Sequence, residues 1–215
     1  MDTEKIKQIE QETVTRYSQR FATLGESHRT LGWGSREQQV YRFDRVLDCV
    51  NLTNRVVLDV GCGFGDFLEY INKQNIPIRK YIGIDINSDF IDLASKKFPS
   101  AQFMNHSHFD LNSQQFCGDV TIMLGLLNFK QSVLDNWSYA RKMIAQAFEL
   151  TNEVLLVDFL SSWLTPDYPK EDFVYYYDPA QALNLALEMT PYVSLKHDYL
   201  PIPQQEFMLI LWKQP

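Results

Sequence analysis

The chain has 215 residues, of which 45% are apolar and 22% charged, and its formal net charge is −7. This length and composition indicate one globular domain with a sizeable core. The acidic balance, with no lysine or arginine run longer than a pair, argues against a nucleic-acid-binding protein. No stretch approaches the roughly 20 apolar residues of a membrane span.

Three scattered cysteines, Cys49, Cys62 and Cys117, indicate reduced thiols and not a disulfide framework. The charged first residues have no apolar segment behind them and do not resemble a secretory signal. We therefore predict a cytoplasmic monomer or homodimer with neither nucleic-acid nor membrane partners.

The first 50 residues predict a helical cap in front of the core. Apolar residues spaced three to five apart predict an amphipathic helix over residues 3–20. A loop with glycines follows over residues 21–35. Ser35 and Gln38 then predict a capping box for a helix from Arg36 to about Val50.

Residues 56–74 have the order strand, glycine turn, helix, which begins a nucleotide-binding βαβ unit. Glycines leave the backbone open to a ligand, and the amides at the helix N-terminus face it. The turn itself has alternating glycines at Gly61, Gly63 and Gly65. A dinucleotide fingerprint requires G-x-G-x-x-G, but Asp66 stands where its third glycine would be. Asp59 before the turn would repel a diphosphate and can accept a hydrogen bond from a cationic ligand.

A second strand over residues 80–85 also ends in an acid, Asp85. An acidic residue about 20 positions beyond such glycines can bind both ribose hydroxyls. The next residue, Ile86, is placed to contact a base. A helix over residues 88–97 follows and stops before Pro99.

The remaining pattern continues an α/β alternation and closes with two strands. A tyrosine-rich segment, residues 161–178, leaves the end of the fifth strand. Loops of this length are usually functional or disordered, and its aromatic content argues against disorder. We therefore expect it to cover the pocket as a lid. The further predicted elements are strands at 101–105, 119–125, 153–159, 193–199 and 206–212, helices at 132–150 and 179–189, and a turn at Pro201-Ile202-Pro203.

The stretch from Leu58 to Gly65 resembles motif I of the class I S-adenosylmethionine (SAM)-dependent methyltransferases, which reads hydrophobic-Leu-Asp-hydrophobic-Gly-x-Gly-x-Gly. The resemblance is specific over residues 56–86 and covers residues 50–215 in architecture. It implies an α/β, Rossmann-like fold with a seven-stranded, mostly parallel sheet, an antiparallel last strand and helices on both faces. It also implies a single domain over residues 1–215, with a helical cap at 1–50, a core at 51–215 and the lid at 161–178.

The resemblance further implies SAM as the cofactor. Segments before the core often fold over the cofactor in this family, so Arg42 is a candidate for binding its carboxylate, and Tyr17 and Trp33 for flanking its sulfonium. The alternatives are core packing for the aromatic residues and a solvated helix face for Arg42. Many members place an acid after the third strand to accept the adenine amino group; that acid is displaced here, and Ser107 or a backbone amide is expected to substitute. The predicted cofactor-binding residues are Tyr17, Arg42, Asp59, Gly61, Cys62, Gly63, Asp85, Ile86, Ser107 and Leu124.

No metal site is predicted. His106 and His108 stand two residues apart without neighbouring cysteines or a set of carboxylates, which is poor spacing for metal ligands.

Candidate catalytic residues follow the fourth strand and lie in the lid. Asn128 stands at the carboxyl end of a central strand, where ligands bind in open parallel sheets, and its side-chain carbonyl can orient an amine or hydroxyl nucleophile. The alternative is a turn or a helix cap. Tyr175 and Tyr176 can form an aromatic wall. A base is sought among His28, Asp158 and the lid tyrosines.

These features predict transfer of a methyl group to an oxygen or nitrogen atom of a small molecule. Leu126-Leu127-Asn128-Phe129 stands where amide and base N-methyltransferases carry Asn-Pro-Pro-Tyr. Two alternatives keep the SAM site: an intramolecular cyclase that closes the aminobutyrate arm to an azetidine and releases methylthioadenosine, and a binding module without turnover.

Overall fold

The computed structural model describes residues 2–114, 116–166, 168, 170–200 and 204–215. Within these residues, the strands are β1 (Val56–Val60), β2 (Lys80–Asp85), β3 (Gln102–Asn105), β4 (Gly118–Met123), β5 (Thr151–Leu160), β6 (Val193–Lys196) and β7 (Glu206–Trp212). They form one seven-stranded sheet in the order β3-β2-β1-β4-β5-β7-β6. The first five strands pair in parallel, and β7 runs antiparallel to both β5 and β6. The predicted fold class is confirmed, and the antiparallel last strand lies between the fifth and the sixth.

The described helices are α1 (Asp2–Leu24), α2 (Arg36–Cys49), α3 (Asp66–Lys73), α4 (Ser88–Lys97), α5 (Asn136–Glu149) and α6 (Pro179–Leu187). Successive strand residues point to opposite faces of the sheet, and the core is accordingly divided in two. Val57 packs with α2 and α3 on one face, whereas Leu58 packs with α5 and α6 on the other. None of the helices in the described ranges is both long and apolar enough to cross a membrane.

Most boundaries follow the sequence pattern, and the differences have local causes. The capping box at α2 forms, with Ser35 Oγ accepting from the Gln38 amide at 3.1 Å. The helix predicted from residue 132 begins only at Asn136, because the Asp135 side chain caps it by accepting from the Ser138 amide. The first helix extends to Leu24, past its predicted end. The predicted turn at Pro201-Ile202-Pro203 lies outside the described residues, as does Pro169 in the lid.

The lid is tied to the sheet at its return. The amide of Tyr177 donates to the Leu160 carbonyl and the amide of Ser162 to the Tyr177 carbonyl, both at 2.8 Å. A second tie joins the lid to the segment after β4, where the Tyr175 amide donates to the Asn128 carbonyl at 2.9 Å. These bonds hold residues 173–177 beside the carboxyl ends of β4 and β5.

The strand order reverses at β1, which has β2 on one side and β4 on the other. In open α/β sheets a crevice forms at such a point, outside the carboxyl ends of the strands. The fold therefore places the glycine turn, Asp85 and the segment after β4 around one crevice.

Candidate functional site

A cavity of about 430 Å³ occupies this crevice, within the range of about 300–1,000 Å³ typical of small-molecule sites. Its wall is formed by the glycine turn, the segments that follow β2 and β4, one face of α1, the segment leading into α2, and the lid. The predicted nucleotide-binding unit therefore forms one part of the wall, and segments before and after it in the chain form the rest.

The glycine turn is held against β2 and adopts backbone conformations that favour glycine. The amides of Gly61 and Cys62 donate to the Ile84 carbonyl at 2.7 and 3.0 Å. Gly61 has a φ of +76°, and a Cβ there would lie 2.2 Å from Leu126 Cδ2. Glycine is therefore required at position 61 for two reasons: the backbone is left-handed there, and the Leu126 side chain lies too close for a Cβ.

Three carboxylates line the cavity around this turn. Asp85 accepts from the amides of Gly63 at 3.0 Å and Asn87 at 2.9 Å, and burial raises its pKa to about 6. Asp59 accepts from the hydroxyl of Tyr81, and burial raises the pKa of Asp59 to about 7. Asp66 accepts from the Gln39 amide nitrogen at 2.9 Å. This acidic turn disfavours a diphosphate and suits a ligand with a positive charge.

Arg42 lines the cavity but already has carboxylate partners. Its Nε lies 3.3 Å from Asp158 Oδ2, and its second terminal nitrogen pairs with Glu206. The remaining terminal nitrogen donates to the Gln38 carbonyl at 3.0 Å, and the guanidinium lies 4.5 Å from the centre of the Trp33 ring. Burial lowers the pKa of Arg42 to about 10, so it stays charged at neutral pH.

One face of α1 forms a wall of the cavity, through Glu10, Thr13, Val14, Tyr17 and Arg20. These positions follow the three- and four-residue spacing of a single helical face. Glu10 accepts from Ser107 Oγ at 2.5 Å. Tyr17 makes edge contacts with Phe90 and Phe129. Arg20 lies 5.9 Å from the Tyr17 ring and forms no ion pair with any residue that the structure describes.

The segments before α2, after β4 and in the lid add aromatic groups, uncharged polar groups and one carboxylate to the wall. Trp33 packs over Gly125, while the hydroxyl of Tyr168 donates to Glu171 Oε2 at 3.0 Å. The Oδ1 atom of Asn128 is buried and has no hydrogen-bond partner in the described part of the chain. Buried polar atoms are normally paired, so a donor from a ligand fits at this atom.

Nine of the ten residues predicted to contact the cofactor line the cavity. The exception is Ser107, whose hydroxyl donates to Glu10. Asn128 is on the wall, whereas Tyr175 and Tyr176 are not among the lining residues: Tyr175 packs against Tyr177 at 4.7 Å between ring centres, and the Tyr176 hydroxyl accepts from the Glu171 amide at 3.1 Å. Of the candidate bases, His28 and Asp158 also lie off the wall.

Sequence reasoning did not identify Glu10, Arg20 or Glu171. The first two carried a signal, because they share a helical face with Val14 and Tyr17. Glu171 carried none, because its position depends on how the lid returns to β5. In the described part of the chain, no group of three or more His, Cys, Asp or Glu residues is arranged to hold a metal ion.

Comparison with known proteins agrees with this geometry. Residues 58–153 match a family model described as a methyltransferase domain. A solved structure of magnesium protoporphyrin IX methyltransferase from Synechocystis PCC 6803, with bound SAH, has a TM-score of 0.58 at 16% identity, over 94% of each chain. At that identity the likeness shows the fold.

Two relatives are similar in sequence. A tRNA U34 carboxymethyltransferase from Aliivibrio salmonicida is 26% identical over 81% of this chain and 55% of its own. A ubiquinone/menaquinone biosynthesis C-methyltransferase from Campylobacter jejuni is 26% identical over 45% of this chain and 43% of its own. The chain thus spans about half the length of these relatives.

Proposed function

We propose that this protein, a class I S-adenosylmethionine-dependent methyltransferase, transfers the methyl group to an oxygen or nitrogen atom of an uncharged small molecule. Bound SAM supplies an electrophilic methyl group on a positively charged sulfur. The observation that carries the proposal is the buried Oδ1 of Asn128 on the cavity wall, which has no hydrogen-bond partner among the described residues. The steps below concern what the residues of this chain do around that atom.

Residues on the cavity wall are suited to the ribose, the carboxylate and the positive charges of the cofactor. Asp85 accepts from two backbone amides and keeps lone pairs for ribose hydroxyls. Arg20 is the cation available for the cofactor's carboxylate, because Arg42, the residue predicted for that role, is paired with Asp158 and Glu206. Asp59 and Asp66 place two carboxyl groups near the turn, and a ligand carrying an ammonium and a sulfonium would favour their ionised forms.

Asn128 is proposed to orient the nucleophile. A side-chain carbonyl accepts a hydrogen bond from an O–H or N–H group and brings no charge of its own. Holding the nucleophile in line with the methyl group is the main requirement of a displacement reaction, and orientation can contribute a large part of the rate enhancement.

The pair formed by Tyr168 and Glu171 is proposed to receive the proton that an oxygen nucleophile releases. Burial and the neighbouring Glu171 raise the pKa of Tyr168 to about 12, so the tyrosine remains a hydroxyl and a donor. Glu171 lies on the cavity wall with Tyr168 fixing one of its oxygens. Its second oxygen can then act as a general base.

The charges of the cavity support a neutral acceptor. The described wall has two arginines, Arg20 and Arg42, and no lysine. Arg42, at the Trp33 end, is neutralised by two carboxylates. A transferred carboxymethyl group or an acceptor phosphate would lack an unpaired cation there, which favours a small molecule and a plain methyl group over the RNA chemistry named for the tRNA relatives.

Incubation with methyl-labelled SAM tests the proposal. Panels of small phenols and amines and, in parallel, total tRNA are offered as acceptors, and S-adenosylhomocysteine is quantified. We expect product only with a small acceptor. Methylthioadenosine released from SAM alone would indicate the cyclase, label in tRNA would indicate a nucleic-acid acceptor, and binding without turnover on any acceptor would indicate a binding module.

A matched pair of variants tests the role of Asn128. We expect Asn128→Ala to reduce the turnover rate with little change in S-adenosylhomocysteine affinity, because the amide contacts the acceptor. Asn152→Ala, in which an exposed amide loses a 3.3 Å bond to Asp119, should leave both quantities unchanged. Equal turnover of the two variants would contradict the assignment.

A further inference from the structure

We propose that Glu10 reads the base of the cofactor: its carboxylate accepts a hydrogen bond from the exocyclic amino group of adenine. The site would then be selective for an adenosyl ligand over one that carries a carbonyl at the same position. This inference rests on the proposed function, because it requires a SAM-type ligand in the cavity.

The base end of the cavity is defined by its neighbours. Asp85 marks the ribose position, and beyond it the wall continues through Ile86 and the segment after β3, including His106. The acid that follows β3, Asp110, is exposed and is not among the lining residues. The loop after β3 therefore offers no carboxylate to a base at this end.

Glu10, on α1, provides a carboxylate to this part of the cavity instead. It lines the wall and reaches the β3 loop through the 2.5 Å hydrogen bond from Ser107 Oγ to its Oε1. Ser107 Oγ in turn accepts from the Phe109 amide at 3.2 Å, which directs the hydroxyl proton to Glu10. The Oε2 atom has no hydrogen-bond partner among the residues that the structure describes.

Two further polar side chains on this part of the wall, His108 and Tyr139, are hydrogen-bond donors and offer no acceptor to an amino group. His108 shares a 3.3 Å hydrogen bond between its Nε2 and the Met143 carbonyl, and burial lowers the pKa of His108 to about 4, so the ring is neutral and Nε2 donates. Burial raises the pKa of Tyr139, which keeps its hydroxyl protonated. Glu10 is thus the partly desolvated carboxylate with a free oxygen at the base end.

The alternative explanation is that Glu10 only docks α1 through Ser107. The two explanations differ in one respect. If Glu10 only docks α1, ligand affinity should not depend on the base, whereas a hydrogen bond to the adenine amino group makes the affinity depend on it. Inosine replaces the adenine amino group with a carbonyl, which a carboxylate repels. The base identity can therefore be varied while the rest of the ligand stays the same.

The experiment is calorimetric titration of the full chain with S-adenosylhomocysteine and with S-inosylhomocysteine. We expect the wild type to bind the adenosyl ligand about ten- to a hundredfold more tightly, as for a hydrogen bond to a charged group. Glu10→Gln should reduce the ratio toward one, because an amide can present either a donor or an acceptor. The matched control is Glu12→Gln on the same helix, which weakens a comparable bond from Ser132 Oγ at 2.8 Å and should keep the wild-type ratio.

Each outcome decides between the explanations. A wild-type ratio near one, or a ratio unchanged in Glu10→Gln, would overturn the inference and leave Glu10 as a docking residue. A wild type that binds neither ligand would instead refute the proposed function. If Glu10→Gln does not fold, Glu10→Asp keeps the charge but withdraws it by one methylene, and a lowered ratio in that variant would support the inference while an unchanged one would overturn it.

Discussion

The Nε atom of Arg42 lies 3.3 Å from Oδ2 of Asp158 inside the protein, and each side chain is no more than 3% exposed. Glu206 on β7 completes the cluster, and Asp158 also accepts from the Gly125 amide at 2.7 Å. The cluster therefore links α2, β5 and β7 to the backbone that follows β4. Although the sequence predicted Arg42 as a cofactor ligand, these contacts give it partners within the protein.

Removing Arg42 should be strongly destabilising. Arg42→Ala leaves two buried carboxylates without a cation, which typically costs about 3–5 kcal/mol. The measurement is the free energy of unfolding from urea titration. Arg45→Ala is the control, because Arg45 pairs with the exposed carboxylates of Asp48 and Asp198, and surface pairs contribute about 1 kcal/mol or less. Equal losses in the two variants would show that the cluster contributes no more than a surface pair.

Arg20 should affect only ligands that carry an amino-acid carboxylate. We expect Arg20→Gln to weaken S-adenosylhomocysteine binding about tenfold and to leave methylthioadenosine binding unchanged, since that ligand has no carboxylate. Calorimetry with both ligands makes the comparison. Arg16→Gln, whose guanidinium lies 4.4 Å from the Phe129 ring, is the control. If Arg20→Gln binds S-adenosylhomocysteine as tightly as the wild type does, another residue must bind the carboxylate.

Asp85 should affect both ligands, because both contain ribose. Asp85→Asn replaces a charged acceptor with a neutral one, and we expect affinity for S-adenosylhomocysteine and methylthioadenosine to fall together by about tenfold or more. Asp89→Asn, at an exposed position in the first turn of α4, is the matched control. Binding that is insensitive to Asp85→Asn would disprove the ribose assignment.

Two glycines allow the free-energy cost of a left-handed backbone to be measured separately from the cost of a steric clash. Gly25 and Gly61 both have a positive φ, but a Cβ at Gly25 would meet nothing within 4 Å. Gly25→Ala should therefore lose only the conformational term, about 1–2 kcal/mol. Gly61→Ala should lose more, because its Cβ would displace Leu126, and it should also impair S-adenosylhomocysteine binding. Denaturant titration and calorimetry measure the two effects, and similar behaviour of the variants would show that contact at Gly61 is unimportant.

Asp59 should make stability depend on pH. Its pKa is about 7 in the folded protein and about 4 in an unfolded chain, so between these values the folded state retains a proton that the unfolded state has released. Raising the pH through this window therefore destabilises the fold, by up to about 1.4 kcal/mol per pH unit. Asp59→Asn keeps an acceptor for Tyr81 and should remove the part of the slope that comes from Asp59, leaving the part that comes from Asp85. The check is the wild-type minus variant difference in unfolding free energy, which should fall from pH 4 to 7; a flat difference would contradict the prediction.

The sequence predicted best where a local pattern determines the structure. The bounds of β2, α4 and β7 agree with the prediction, because each is an apolar run or a helical face between clear breaks. The glycine spacing and the acid of β2 likewise depend on neighbours close in the chain. For such features the determining contacts lie within one strand–turn–helix unit.

Features that depend on distant contacts were not predictable in the same way. Nothing near Arg42 indicates that Asp158 and Glu206 lie beside it, since both come from later strands. Similarly, Glu10 appears in the sequence as one charge on an amphipathic helix. Its place in the site depends on where α1 crosses the loop after β3. Attention to the polar residues that share a face with Val14 and Tyr17 would have identified Glu10 and Arg20 together.

The position of α1 also bears on how a ligand enters and leaves. This 23-residue helix forms a wall of the cavity, yet it pairs with none of the described strands. Side chains attach it to the rest of the protein: Ile9 is buried in the core, Ser18 accepts from Asn87 Nδ2 at 3.0 Å and Phe21 packs against Phe64. Its detachment breaks no hydrogen bond of the sheet. We therefore expect the residence time of the cofactor to be governed by the undocking rate of one helix, while the sheet that carries Asp59 and Asp85 remains intact between turnovers.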